Sequence, residues 1–377
     1  MNILITGAAG FIGSHLARNL IWRGDNVIGL DNFNDYYPRK CKEFNVDLVH
    51  LSANQGSKIF PQEELGPVYD KLLSYNNKTT QNTPQSTPGT FHFHEADITN
   101  LDQLKEIFQN HKIDAIIHLA AMAGVPMSTK NPLLYTKVNV QGTTNLLTLT
   151  TDKQKENKNP IKFLFASSSS VYGHREKENF FVTEQDDITK ARSVYGATKV
   201  AGEVLCHSFH TSFNLKVANI RIFGPIYGPL QRPFGMLHQR AINYTHNNKT
   251  LQIYGRDGLK TAKDATYIED EVKGIIQILD SDFNYEIYNI GTQNPLPIKH
   301  WLECIKKAFE KQDSLNPKEL KIEIVEADKA DVASSADISK AKKLLNYEPT
   351  TSMQEGINRQ VEVFNLMPKW YKEMQDV

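Results

Sequence analysis

Apolar and polar positions alternate between two rhythms along the chain. Ile3-Leu4-Ile5 is a short apolar run. From Phe11 onward, Ile12, His15, Leu16, Asn19 and Leu20 follow helical spacing until Gly24. Val27-Ile28-Gly29-Leu30 is a second apolar run, closing on Asp31. Phe91-His92-Phe93-His94 leads to Ala96-Asp97-Ile98, and a helix is predicted around Leu101 to Asn110. Ala115-Ile116-Ile117-His118-Leu119 ends in Ala120-Ala121, a long helix is predicted from Pro132 to Thr150, and Phe163-Leu164-Phe165 is a further strand. Strand and helix in turn predict an α/β fold with a parallel, doubly wound sheet. Ligands of such sheets sit at the carboxyl ends of the strands, where Asp97, Ala120 and Ser167 to Ser170 fall.

One region breaks the rhythm. Between Asp31 and Phe91 lie about sixty residues, including SYNNKTTQNTPQSTPGT at 74–90. Its Asn, Thr, Gln and Pro content predicts an inserted surface segment over 40–90 whose later part is poorly ordered.

The first loop carries chemistry. In ITGAAGFIGS, Gly7, Gly10 and Gly13 recur every third residue between the first strand and the first helix. Strand, glycine turn, helix, strand and acid within about thirty residues form the context of a dinucleotide fingerprint. Small residues let the backbone approach a pyrophosphate, which a helix N-terminus favours. Asp31 can accept hydrogen bonds from both ribose hydroxyls and would repel a 2′-phosphate, so NAD is expected rather than NADP.

A second signal is split between ASSSSVYG at 166–173 and SVYGATK at 193–199. Tyr195 and Lys199, four apart, share one face of a helix that starts near Ser193. A phenol is a poor base near neutral pH; a neighbouring ammonium stabilises its phenolate. A serine at the preceding strand end can hydrogen-bond a hydroxyl undergoing oxidation.

Bulk properties narrow the partners. Lys plus Arg and Asp plus Glu number 43 each in 377 residues, so no net field points to nucleic acid or an anionic membrane. Cys41, Cys206 and Cys304 are scattered, as expected in a reducing compartment, and no apolar run has membrane-spanning length. Met1 leads straight into a strand, and a cytoplasmic protein is expected. FHFHE at 91–95 reads as a strand, Cys206, His207 and His210 as helix packing, and 306–321 as a solvated helix and turn; no metal site is expected.

TGAAGFIGS, DNFNDYY at 31–37, HLAAMAG at 118–124, NVQGT at 139–143, SSSSVYG and YGATK together resemble the extended short-chain dehydrogenases/reductases that act on nucleotide sugars. DNFNDYY, AGVPMSTKNPLLY at 123–135 and ADISKAKKLL at 336–345 are most similar to the UDP-glucuronate 4-epimerases. The resemblance implies a Rossmann-type sheet with a smaller C-terminal α/β substrate domain. The first unit would span 1–180, with returning segments at 193–224 and 264–290; the second would comprise 225–263 and 291–377. It implies NAD held by Gly7, Gly10, Phe11, Ile12, Gly13, Asp31 and Asn32 on the adenosine side. Asp97, Ile98, Leu119, Ala120, Ala121, Asn139 and Ser167, with Tyr195 and Lys199, would complete that site. Tyr195 and Lys199 are the implied catalytic pair, Ser168 the substrate-contacting hydroxyl, and a homodimer the implied assembly.

Related dehydratases and decarboxylases carry acidic residues where this chain has Ser169 and Ser170. The reaction that needs no further carboxyl group is 4-epimerisation of a UDP-sugar. Ser169, Ser170 and Arg232 suit a uronate carboxylate, and Lys263 stands where an arginine is expected near the diphosphate. Pro126 replaces another arginine of the pattern, and Gly224-Pro225 stands where Asn or Thr is usual. These departures keep open two alternatives: a neutral-hexose epimerase and a non-catalytic NAD-binding scaffold.

Overall fold

The computed structural model describes residues 1–79, 87–157, 159–173, 181–234, 236–254, 258–312, 318–325 and 335–374. Seven strands make the central sheet: β1 (Asn2–Thr6), β2 (Asn26–Asp31), β3 (Phe91–Glu95), β4 (Ala115–His118), β5 (Lys162–Ser168), β6 (Lys216–Ile222) and β7 (Tyr285–Ile290). Their order is β7-β6-β5-β4-β1-β2-β3, and every neighbouring pair is parallel. The expected doubly wound α/β sheet is present. The chain runs outward from β1 to β3, then restarts at β4 on the other side of β1, so the switch point lies between β1 and β4.

Alternation along each strand feeds two cores. Ile3, Ile5, Ile117, Leu164 and Ile220 face one apolar layer, while Leu4, Ile116, Phe163 and Val217 face the other, all fully or almost fully buried. Helices cover both faces: α1 (Phe11–Trp22), α2 (Arg39–Ser52), α3 (Gln62–Thr79), α4 (Leu101–Asn110), α5 (Gly142–Asn157) and α6 (Val194–Phe213) among them. The long helix expected from Pro132 is segmented: Pro132–Thr136 and a π-helical turn at Lys137–Gln141 precede α5.

The inserted segment departs from its expectation. It is not a surface segment over its length, because α2 and α3 occupy most of it and bury apolar faces. Leu48, Val49, Leu65 and Val68 are buried in the core. The Tyr75 hydroxyl donates to Glu362 at 2.6 Å, Lys71 pairs with the same carboxylate at 2.8 Å, and Trp370 Nε1 donates to Glu64 at 3.1 Å. The insertion therefore braces α7 (Met353–Leu366) and the following turn against the sheet. Residues 80–86 of the polar stretch, and 313–317 of the charged stretch near the C-terminus, lie outside the described residues.

Beyond β6, short strand pairs and helices gather at the carboxyl end of the sheet. Ala262–Lys263 pairs antiparallel with Leu296–Pro297, and Ile226–Tyr227 pairs parallel with Thr266–Tyr267. Helices Leu237–His246 and Ile298–Gln312 pack there with α7. Among the described residues no helix is long and apolar enough to cross a membrane.

Candidate active site

The glycine turn opens the site. Gly7 has φ +75°, and a Cβ there would lie 2.9 Å from the Ala120 nitrogen. A Cβ on Gly13 would lie 2.1 Å from the Gly7 carbonyl oxygen. Two of the three glycines thus let the turn close on its own backbone and on the end of β4, a demand that the spacing alone does not distinguish from room for a phosphate. Gly10 caps α1 with no side-chain bond, so the first-turn N–H groups have no side-chain cap, as an anion site requires.

These residues line one cavity of about 640 Å³ at the switch point. Gly7, Gly10, Phe11, Ile12, Gly13, Asp31, Asn32, Ile98, Leu119, Ala120 and Ala121 line one end. Ser167 to Ser170, Tyr195 and Lys199 form the middle, and Arg232, Lys263, Ile298 and Trp301 the other end. Gly224 and Pro225, joined by a cis bond, also line it.

Asp31 ends β2, 8% exposed, and accepts from the Phe33 nitrogen at 2.8 Å. Burial pushes its carboxyl up, and Lys42, with Nζ 3.8 Å away, opposes that shift. Asp97 and Asn139, also expected at the cofactor, both make hydrogen bonds within the protein. The Asp97 carboxylate accepts from Asn32 Nδ2 at 3.0 Å and from the Thr99 nitrogen at 2.7 Å, bracing the loop beneath. Asn139 is buried: its amide bridges the Met122 nitrogen (2.8 Å), the Met122 carbonyl (3.0 Å) and the Thr198 hydroxyl (3.0 Å). It fixes the end of β4 to α6 and has no donor left for a cofactor.

Helix α6 starts where the sequence indicates, with the Ser193 hydroxyl accepting from the Gly196 nitrogen at 3.0 Å. Tyr195 and Lys199 share its inner face. Lys199 Nζ donates to the Ala166 carbonyl at 2.7 Å, and burial pulls its pKa down to about 8. The Tyr195 phenol is raised by burial; its hydrogen bond with Ser168 and the Arg232 charge act in the opposite direction. The Lys199 ammonium, expected from the sequence to act on this phenol, lies 5.9 Å from the centre of the Tyr195 ring. Ser168 Oγ also accepts from the Ser170 nitrogen at 3.2 Å. Ser167 is committed elsewhere: its hydroxyl donates to Glu203, which pairs in turn with Arg221 at 2.8 Å.

Away from the cavity, Cys206 is buried, the rings of His207 (edge-on) and His210 (tilted) lie against Tyr285, and His94 Nε2 faces His111 Nε2 at 2.9 Å. Sequence reasoning did not single out Tyr36, Lys42, Gln231 and Trp301 from this cavity's lining. Tyr36 sits inside the DNFNDYY motif and was there to be found. Trp301 arrives from a helix more than eighty residues beyond α6 and carries no local signal.

The residues fit a dinucleotide: the glycine turn gives close backbone approach, α1 its uncapped start, and Asp31 its carboxylate beside the cavity. Residues 3–291 match the model of the NAD dependent epimerase/dehydratase family. A UDP-glucuronate 4-epimerase from Thermodesulfobacterium geofontis is 35% identical over 98% of this chain and 96% of its own. The crystal structure of UDP-glucuronic acid 4-epimerase from Bacillus cereus, in complex with UDP-glucuronic acid and NAD, superposes with a TM-score of 0.73. It is 30% identical and covers 97% of this chain and 100% of its own. A UDP-glucose 4-epimerase from Thermotoga maritima, solved with UDP-glucose, has a TM-score of 0.73 at 26% identity over 97% of this chain and 99% of its own. With its glycine turn, its Ser168–Tyr195–Lys199 constellation and a match over most of its length, the chain belongs to the NAD dependent epimerase/dehydratase family.

Proposed function

We propose that this protein is an NAD-dependent UDP-sugar 4-epimerase whose substrate pair is UDP-glucuronate and UDP-galacturonate. The observation that carries this reading is the convergence of Ser168, Tyr195 and Lys199 with the glycine turn on one cavity, with no carboxylate at Ser169 or Ser170. Elimination or decarboxylation would need an added acid or base there.

The chemistry NAD supplies when bound is reversible hydride acceptance at C4 of the sugar. Ser168 orients the C4 hydroxyl and Tyr195 takes its proton. Lys199, anchored at the Ala166 carbonyl, holds a positive charge beneath them. Tyr195 returns the proton after the 4-keto sugar has turned over within the cavity. Arg232 and the hydroxyls of Ser169 and Ser170 hold the uronate carboxylate, and Lys263 faces the diphosphate.

In this reading residues 1–180, 193–224 and 264–290 form the NAD-binding unit, and 225–263 with 291–377 the UDP-sugar unit. Val125, Met127, Leu133 and Leu134 on the 125–136 helices and Val204 on α6 expose apolar surface, and these helices touch. Two copies pairing these helices would cover it as a homodimer. The cysteines, free and buried, support a reducing, cytoplasmic setting.

Incubation with UDP-glucuronate and no added nicotinamide should yield UDP-galacturonate. Stoichiometric NADH or carbon dioxide would reject epimerisation. Preferred turnover of UDP-glucose or UDP-galactose would reject the uronate while keeping the reaction.

A further inference from the structure

The loop after β2 displays a second tyrosine into the cavity, and its chain of turns fixes where that tyrosine stands. The Asp31 carboxylate accepts from the Phe33 nitrogen at 2.8 Å, Asn32 Oδ1 from the Asn34 nitrogen at 3.1 Å, and Asn34 Oδ1 from the Tyr36 nitrogen at 3.3 Å. Lys42 Nζ then clamps Asn34 at both its carbonyl and its side chain, each at 2.8 Å. The far end of Tyr36 is equally confined. Gly124 has φ +94°, and a Cβ there would fall 2.5 Å from the Tyr36 hydroxyl. Only a glycine leaves the phenol its place.

Across the cavity, the Arg232 guanidinium lies over the Tyr36 ring, 4.8 Å from its centroid. Arg232 comes from the loop after Ile226–Tyr227, so the pair spans from the β2 loop to the far end of the cavity. Among the described residues no carboxylate pairs with Arg232 within 4.0 Å. A cation–π contact takes up no N–H donor, so the donors of the guanidinium stay available.

We infer that Tyr36 is a positioning residue that holds Arg232, through its ring, where that guanidinium meets the anionic part of the nucleotide sugar. An unrestrained arginine must give up rotamer freedom when it binds, and a stacked one has already done so. The effect falls mainly on substrate binding, since the Tyr36 ring contacts the guanidinium rather than the reacting carbon, with a smaller effect on kcat because the Arg232 charge also acts on the Tyr195 phenol. The inference rests on Arg232 contacting the substrate, as proposed above.

The test is a double-mutant cycle on the full-length protein with UDP-glucuronate, measuring KM and kcat separately. Cation–π contacts of about 0.5–2 kcal/mol correspond to about two- to thirtyfold in binding. Tyr36→Ala should raise KM within that range while kcat stays within about twofold. Tyr36→Phe, which keeps the ring, should restore KM to within about threefold of the parent. Tyr36→Ala added to Arg232→Ala should raise KM no further than Arg232→Ala alone. Additive effects of the two substitutions, or a Tyr36→Phe as impaired as Tyr36→Ala, would overturn the inference. If Arg232→Ala leaves KM unchanged, the substrate role of Arg232 has failed first. Bound NAD, read by absorbance after denaturation, serves as the folding check: a Tyr36→Ala that raises KM only by losing NAD would also overturn it.

Discussion

At the residue scale, Lys199 sets folding against chemistry. Its ammonium is buried and donates to one carbonyl, the Ala166 oxygen, and its pKa falls from 10.5 to about 8. A base whose folded pKa is depressed contributes its full stability only above the unfolded value, and loses it as pH falls from 10.5 through about 8. Lys199→Met should therefore melt higher than the parent at pH 7, with the gap closing toward pH 10.5, while turnover collapses. Melting curves across that range check the sign. Tyr195→Phe, by contrast, should leave melting nearly unchanged and cost about 10²–10⁴ in rate, the usual worth of a positioned acid–base group.

The legible residues were those whose role follows from near neighbours in sequence. Gly7, Gly13 and Asp31 lie within one strand–helix–strand unit, and Tyr195 and Lys199 within one helical turn. Asn139 reads as a cofactor residue in the motif, yet in space it spends its amide on Met122 and Thr198. A motif reports that a residue is needed near the site without telling whether it touches the ligand. Lys199 likewise has the right spacing to tune Tyr195, but the Ala166 carbonyl, from another strand, determines where its charge rests.

At the element scale, the β-α alternation was readable because each strand alternates toward two cores, and composition misled only where it outweighed pattern. Leu65, Val68, Leu72 and Tyr75 recur at helical spacing and are all buried, but the polar run that follows them, with Pro67 among them, hid α3. What the helix packs against, α7, lies nearly three hundred residues further on. Leu65→Ala should cost about 2–5 kcal/mol, read as a lower urea midpoint, because the buried side chain leaves a cavity between sheet and brace. A change under about 0.5 kcal/mol would mean the insertion is loosely held.

At the scale of the whole molecule, the exposed apolar helices are what support the proposed homodimer. Leu133 is 85% exposed and Val204 60%, values unusual for large aliphatic side chains grouped on contacting helices. The combined change Leu133→Asp and Val204→Asp should halve the mass seen by light scattering at micromolar concentration without lowering NAD content. A parent protein that is already monomeric would dismiss the homodimer.

The order of strands in the sheet also bears on how the chain is made. Ile3 in β1 pairs with Val27 on one side and with Ala115 on the other. During synthesis β1 therefore finds one neighbour soon after it emerges, but waits for roughly ninety further residues before its other edge is covered. The same wait recurs at β5, whose outer edge stays open from Lys162 until Lys216 has emerged. Through both intervals the nascent chain carries an unpaired parallel edge, the surface that recruits other strands. Translation that stalls in either interval would yield fragments prone to clump, whereas a stop after Ile290 would leave every internal edge already paired.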